Sequence, residues 1–193
     1  MKNNFFAMLS RMKYINRWGL MRNTMSENIA EHSLDVAIIA HGLATISNLY
    51  FGGKVDADRV AVVALFHDVT EIITGDMPTP IKYFAPEIRD VYKEIEAQAA
   101  GQLVKGLPEE MQGVYKDIII TQPEEEEIHK FVKAADKLSA YIKCVEEKRM
   151  WNPDFEKAEK ATLDAVKDMN MPEVEYFLDN FMKAYGLTLD EQA

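Results

Sequence analysis

One cysteine, nine glycines and no uninterrupted apolar run of membrane length are what this 193-residue chain has to work with. The lone Cys144 can form no internal disulfide, and its place among good helix formers reads as a packed thiol in a reducing compartment. No segment approaches the roughly 20 consecutive apolar residues of a bilayer span. The opening "MKNNFFAMLSRMKYI" lacks the unbroken apolar core and small-residue cleavage site of a signal peptide, so it reads as an amphipathic helix with Phe5, Met8/Leu9 and Met12 on one side. The expectation is a soluble, cytoplasmic protein with no membrane partner. Positive charge is scarce as well: 22 Lys and Arg against 32 Asp and Glu leave a net charge of -10. That balance argues against a nucleic-acid binder, which needs a basic face to replace the counterions of a phosphate backbone. A small anionic ligand would need local positive charge from an arginine or a metal.

Period-2 alternation is also missing, with "DIIIT" the one short β-like run, and there is no repeat, low-complexity segment or linker. What is present is helical. Apolar residues make up 48% of the chain, enough for a core in a domain of this size. A long helix is expected from Asn28 to about Leu49, opened by the Asn28/Glu31 capping box, with a core row at Leu34, Ala37/Ile38 and Thr45/Leu49. A second is expected from about Asp56 to Ile73, broken by "GDMPTP". A third starts near Pro86 and runs to the Gly106 and Pro108 breakers, with a stripe at Ile88, Val91/Tyr92, Ile95, Ala99 and Leu103. Others cover Glu109 to Ile120, Pro123 to about Met150, and two further Pro-opened segments, the last ended by Gly186. The reading is an all-α single domain over residues 1–193.

The chemistry concentrates in "ALFHDVTEIITGDMPTP". On a continuous helix Glu71 lies one turn beyond both His67 and Asp68, so the three point together at the end of a row begun by Val60 and Ala64. His67 alone would read as a hydrogen-bonded core histidine; the neighbouring carboxylates make it a candidate ligand. His32 in "NIAEHSLDVA" and Asp136 in "VKAADKLSAY" are further candidates, although Asp136 also suits an ordinary pairing with Lys133 or Lys137. Together His32, His67, Asp68 and Asp136 offer nitrogen and oxygen donors without thiolate, a set that leans to a catalytic divalent metal with open positions. His41 falls on the Leu34/Ile38 row and reads as packed; His129, after four glutamates, reads as near the surface.

The blocks "INRWGLMRN", "ENIAEHSLDVA", "FHDVTEIITGDMPTPIKYF" and "KAADKLSAYIKCVEE" resemble, in order and spacing, the bacterial HD-domain 5′-deoxynucleotidases, over a span from about Phe5 to "LTLDE". The resemblance implies an HD-domain helical bundle. It implies hydrolysis of deoxyribonucleoside 5′-monophosphates to deoxyribonucleoside and phosphate, with one divalent ion, cobalt foremost and manganese or another as alternatives, in a homodimer. By position it implies that His32, His67, Asp68 and Asp136 hold the metal, that Glu71 is the catalytic acid and that Arg17 orients the phosphate. Trp18, Asp76, Met77, Pro78 and Thr79 match positions that hold the nucleoside, where the sugar is read for absence of a 2′-hydroxyl. The metal-ligand carboxylates and His32 also border the substrate.

The residues agree with these roles. Arginine is a planar, permanently charged fork for phosphate oxygens, and a glutamate beside apolar residues can stay protonated for a leaving alkoxide. Outside this context Trp18 would be a core or interface aromatic and Asp76 a turn cap. Two other functions remain open at this stage: hydrolysis of a nucleoside triphosphate or signalling nucleotide, and a metal that only staples helices. The site blocks offer chiefly Arg17, Lys82 and Arg22 as positive charge, which favours a monophosphate.

Overall fold

Asn28 begins the longest uninterrupted piece of core. Its side chain accepts from the backbone N–H of Ala30 and Glu31, and Glu31 returns a contact to the Asn28 N–H, closing the expected capping box at the start of the helix Ile29–Tyr50. The computed structural model describes residues 3–78, 81, 86–120 and 122–193. Among these, ten α-helices run in the order α1 Phe5–Leu9, α2 Ile29–Tyr50, α3 Ala57–Leu65, α4 Glu71–Thr74, α5 Pro86–Val104, α6 Glu109–Ile119, α7 Glu126–Arg149, α8 Glu156–Lys167, α9 Pro172–Asn180 and α10 Leu189–Gln192. Short 3-10 turns join several of them. The described residues contain no strand; Asn16 and Asn28 form an isolated antiparallel bridge, and "DIIIT" continues α6 as far as Ile119. The architecture is all-α.

Helices α2, α3 and α7 pack against one another and form the centre. Their buried faces supply Val36, Ala40, Leu43, Val60, Ala64, Ala135 and Leu138 to one apolar cluster, which α8 and α9 extend through Val166, Val174 and Phe177. A second cluster gathers Phe5, Met12, Ile29, Val69, Leu103 and Leu107 from α1, the chain before α4 and the end of α5. Ala64 belongs to the first cluster and Val69 to the second. His67 and Asp68 therefore lie where the two cores meet.

α2 is long and apolar enough to cross a membrane by length and composition. It serves here as a core helix, with eleven buried residues along its length. The buried row differs from the expected one: Leu34 and Ile38 are 54% and 63% exposed, and Leu49 is exposed too. In a helix apolar on nearly all sides, periodicity does not say which face turns inward; small residues decide, because Ala37, Ala40 and Ala44 let α3 and α7 approach. His41, on the outward row, is half exposed and lies 3.5 Å from Asp58, so it is not packed. The α5 stripe also splits, with Ala99 and Leu103 buried but Ile88, Val91 and Ile95 exposed. His129 is partly buried, with its Nε2 enclosed.

The helix expected from Asp56 to Ile73 is two. α3 stops at Leu65, and the N–H groups of Phe66, His67, Val69 and Glu71 reach back three residues, to Val63, Ala64, Phe66 and Asp68, in a tight overwound connection to α4. Within that connection His67 Nδ1 lies 2.7 Å from the Ala64 carbonyl, the acceptor that Asp68 N–H would use in a continuous α-helix.

Candidate active site

α2 contributes His32, one turn inside its cap; the α3–α4 connection contributes His67 and Asp68; α7 contributes Asp136 from mid-helix. One donor atom from each of His32, His67 and Asp68 falls within 4.8 Å of the other two. His32 Nε2 lies 3.1 Å from Asp136 Oδ1 and 3.6 Å from Asp68 Oδ2, and His67 Nε2 lies 3.2 Å from Asp68 Oδ2. The structure brings His32, His67 and Asp68 together and sets Asp136 against them through His32. Asp136 makes these contacts instead of pairing with Lys133 or Lys137. His32 is fully enclosed while the Asp136 side chain keeps 41% of its surface, so the site opens on the Asp136 side.

The donors suit a divalent cation. With Nδ1 2.7 Å from the Ala64 carbonyl, His67 has Nε2 as the atom free to turn to a cation, and that atom is buried without a hydrogen-bond partner. His32 faces Glu27 through Nδ1 at 3.1 Å, which aims its Nε2 at the carboxylates. Burial works to raise Asp136, but the hydrogen bond and charge of His32 hold it well below the usual carboxylate range. Asp68 is likewise kept low against its burial, chiefly by His67. Both carboxylates are ionised at neutral pH, and imidazole with carboxylate is a donor set for catalytic zinc, manganese or cobalt.

Arg17 enters from the segment between α1 and α2. Its guanidinium sits 3.4 Å from Asp68 Oδ2, 3.9 Å from Asp136 Oδ1 and 3.3 Å from Glu27 Oε1. The fork is thereby fixed beside the ligand cluster. Trp18 follows in the left-handed region at φ 58°, and its indole N–H donates to Glu27 Oε2 at 3.1 Å while its ring leans on buried Phe155.

Glu71 opens α4. Its Oε2 is buried without a partner, and burial first, then the charges of Asp68 and Asp76, push the carboxyl up to about 9 against the pull of Arg17. A carboxyl in that state is a proton donor at neutral pH. Asp76 is also raised, mainly by burial, and receives a hydrogen bond from the Trp18 backbone N–H. Gly75 before it needs φ 74°, a left-handed value natural to glycine, and Tyr92 on α5 holds this turn with its hydroxyl 2.7 Å from the Gly75 carbonyl. Met77 and Pro78 follow on the partly buried turn. Thr79 and Lys82 lie outside the described residues. Arg22 is turned away, held by Asp154 through two contacts of 2.8 Å.

The model of the YfbR-like 5′-deoxynucleotidase family matches residues 4–185. The chain belongs to that family. Among relatives of this 5′-deoxynucleotidase family, 5′-deoxynucleotidase VV1113 of Vibrio vulnificus is 48% identical over 98% of both chains. 5′-Deoxynucleotidase YfbR of Escherichia coli is 46% identical over 98% of this chain and 96% of its own. The fold is that of the HD-domain phosphohydrolases: the Listeria innocua member lin2634 superposes with a TM-score of 0.81 at 24% identity, covering 94% of this chain and 88% of its own. The cyanophage S-2L HD phosphohydrolase DatZ, solved with dA and one catalytic zinc ion, superposes at 0.65 and 21% identity over 92% of this chain and 96% of its own.

Three residues beside the candidate site have no functional reading in the sequence: Glu27, Tyr92 and Ser139, whose Oγ lies 3.2 Å from His32 Nδ1. Tyr92 stands in the sequence as one member of an apolar stripe. Ser139 follows Asp136 by nearly a turn, and Glu27 immediately precedes the Asn28 cap; position beside a candidate ligand was the only signal either carried.

Proposed function

We infer that this chain is a metal-dependent 5′-deoxynucleotidase, hydrolysing deoxyribonucleoside 5′-monophosphates to deoxyribonucleoside and phosphate. The observation that carries the reading is the neutral, unpartnered Glu71 carboxyl beside the His32, His67, Asp68 and Asp136 cluster and the Arg17 fork. Those four residues would hold the ion, which when bound supplies Lewis acidity toward a phosphoryl oxygen and lowers the pKa of water. Cobalt is the proposed occupant in vitro, with manganese or another divalent ion as the alternative.

The chain's own groups divide the remaining work. Arg17, already anchored, presents donors to the phosphate oxygens and offsets the negative charge that Asp68 and Asp136 bring to the cleft. Asp68, Asp136 and His32 border the phosphate as well as the ion. As water oxygen bonds to phosphorus and the bond from phosphorus to O5′ breaks, Glu71 gives its proton to O5′. The water's protons stay on the phosphate formed, one of them later replacing that of Glu71, so the products are a neutral sugar hydroxyl and phosphate. Trp18 packs on the sugar where a 2′-hydroxyl would project, Asp76 accepts from the sugar hydroxyl that remains, and Met77 and Pro78 carry the nucleoside wall. Among the described residues Arg17 is the cation of the cleft, and Arg22 is spent on Asp154. That supports a monophosphate over a triphosphate substrate.

Residues 1–193 act as one unit on free nucleotides in the cytoplasm, without nucleic-acid or membrane partners; the net charge of -10 supports the absence of a nucleic-acid partner. The unit is a homodimer. Support comes from the resemblance and from the outward apolar row Leu34 and Ile38 on α2, which a monomer leaves to water.

The test is phosphate release from a panel of nucleotides with cobalt or manganese added. Deoxyribonucleoside monophosphates should react well and ribonucleotides poorly; hydrolysis confined to triphosphates would refute the reading.

A further inference from the structure

Glu27 stands behind the site and faces three of its donors at once. Oε1 lies 3.1 Å from His32 Nδ1 and 3.3 Å from Arg17 Nε, and Oε2 accepts from Trp18 Nε1 at 3.1 Å. We propose that Glu27 is a positioning residue that binds His32, Arg17 and Trp18 into one rigid unit, so that cation affinity and sugar discrimination share a single carboxylate. The proposal rests on the functional reading above and deepens it.

Each contact fixes a different property. A carboxylate on Nδ1 sets the His32 tautomer and ring orientation, leaving Nε2 to point at Asp68 and Asp136. Ser139 reaches the same nitrogen at 3.2 Å but carries no charge, so it cannot replace that effect. Arg17 Nε stands 3.3 Å from the same carboxylate as an ion pair without a hydrogen bond, and its two terminal nitrogens stand by Asp136 and Asp68. The indole of Trp18 is pinned at one end by Glu27 and at its face by Phe155.

The backbone here does not depend on the side chain. The Glu27 carbonyl accepts the Arg17 N–H at 2.9 Å, and Ile29 N–H reaches Ile15 at 3.0 Å on either side of the Asn16–Asn28 bridge. Variants at position 27 can therefore fold with the loop in place. Glutamine is the sharper probe, because an amide has one acceptor oxygen for donors that now occupy two. If its oxygen stays with His32 and Arg17, its NH2 opposes the Trp18 indole N–H.

Cobalt titration of metal-stripped protein, together with kcat/KM for a deoxyribonucleotide and its ribo counterpart, tests the proposal. Glu27→Ala should bind cobalt about 10 to 100 times more weakly. Glu27→Ala and Glu27→Gln should both lose roughly tenfold in preference for the deoxy sugar. Folded variants with unchanged cobalt affinity and unchanged sugar preference would overturn it, as would a fall in thermal stability with both readouts intact. Wild-type protein that binds cobalt but releases no phosphate would refute the functional reading instead, and the cobalt comparison would still decide the link from Glu27 to His32.

Discussion

A glutamate at the start of a short helix is ordinarily ionised and solvated, yet Glu71 is held neutral by burial and by the neighbouring Asp68 and Asp76. Glutamine matches its shape but has no proton to give. Glu71→Gln should lower turnover by about 10²- to 10⁴-fold, the usual worth of a positioned general acid. Cobalt affinity should be kept, since Glu71 is outside the ligand set; equilibrium dialysis beside a phosphate-release assay checks both. Loss of metal with activity would move Glu71 into the ligand shell. Trp18 offers a second measurement at this scale, because its indole is fixed by Glu27 at one end and by Phe155 at its face. Trp18→Ala should cut the deoxy-to-ribo ratio of kcat/KM by roughly tenfold by opening the space above the sugar. An unchanged ratio would take Trp18 out of sugar recognition.

Among the helices, what the sequence states locally is what the structure keeps. The Asn28/Glu31 capping box is a matter of four consecutive residues, and it stands as read; so do the proline-opened starts of α5 and α9. Features decided by a partner were not readable. The buried row of α2 depends on where α3 and α7 dock, and the outward face of α5 on what leaves it uncovered. The break after Leu65 comes with backbone bonds that tighten from Phe66 onward and a His67 contact to the Ala64 carbonyl, which periodicity cannot report. The candidate site was legible by residue type: His32 and Asp136 lie within helices and His67 and Asp68 end an apolar run, whereas Glu27 in a polar loop carries no such mark. Asn28→Ala tests the cap directly. It should cost about 1 kcal/mol in urea denaturation. Because α2 begins between Glu27 and His32, it should also weaken cobalt binding; a stability loss with cobalt affinity unchanged would show that the cap and the site are independent.

Across the whole molecule, the segment carrying Arg17, Trp18 and Glu27 is clamped from the far end of α7. Glu147, only 2% exposed, accepts from the backbone N–H of Thr24 at 2.9 Å and Met25 at 3.2 Å and from Asn152 at 2.8 Å, and it pairs with Lys143. Lys143 in turn donates to the Met25 carbonyl, and Asn152 to that of Arg22. Burial works to raise Glu147, but Lys143, Asn152 and Thr24 together hold it at about 2. The unfolded chain, with an ordinary glutamate, binds the proton first, so stability rises with pH across this range. The contribution of Glu147 is complete above the unfolded value near 4.5 and drains away as pH falls toward 2. At neutral pH it amounts to about 3 kcal/mol, from roughly 1.4 kcal/mol per pKa unit. Glu147→Gln keeps the shape but sets an amide among donors. Urea midpoints for the two proteins should therefore differ most above pH 5 and draw together as the pH is lowered. A gap that stayed constant with pH would mean that the charge of Glu147 contributes nothing and that only its shape holds the Arg22–Met25 loop against α7.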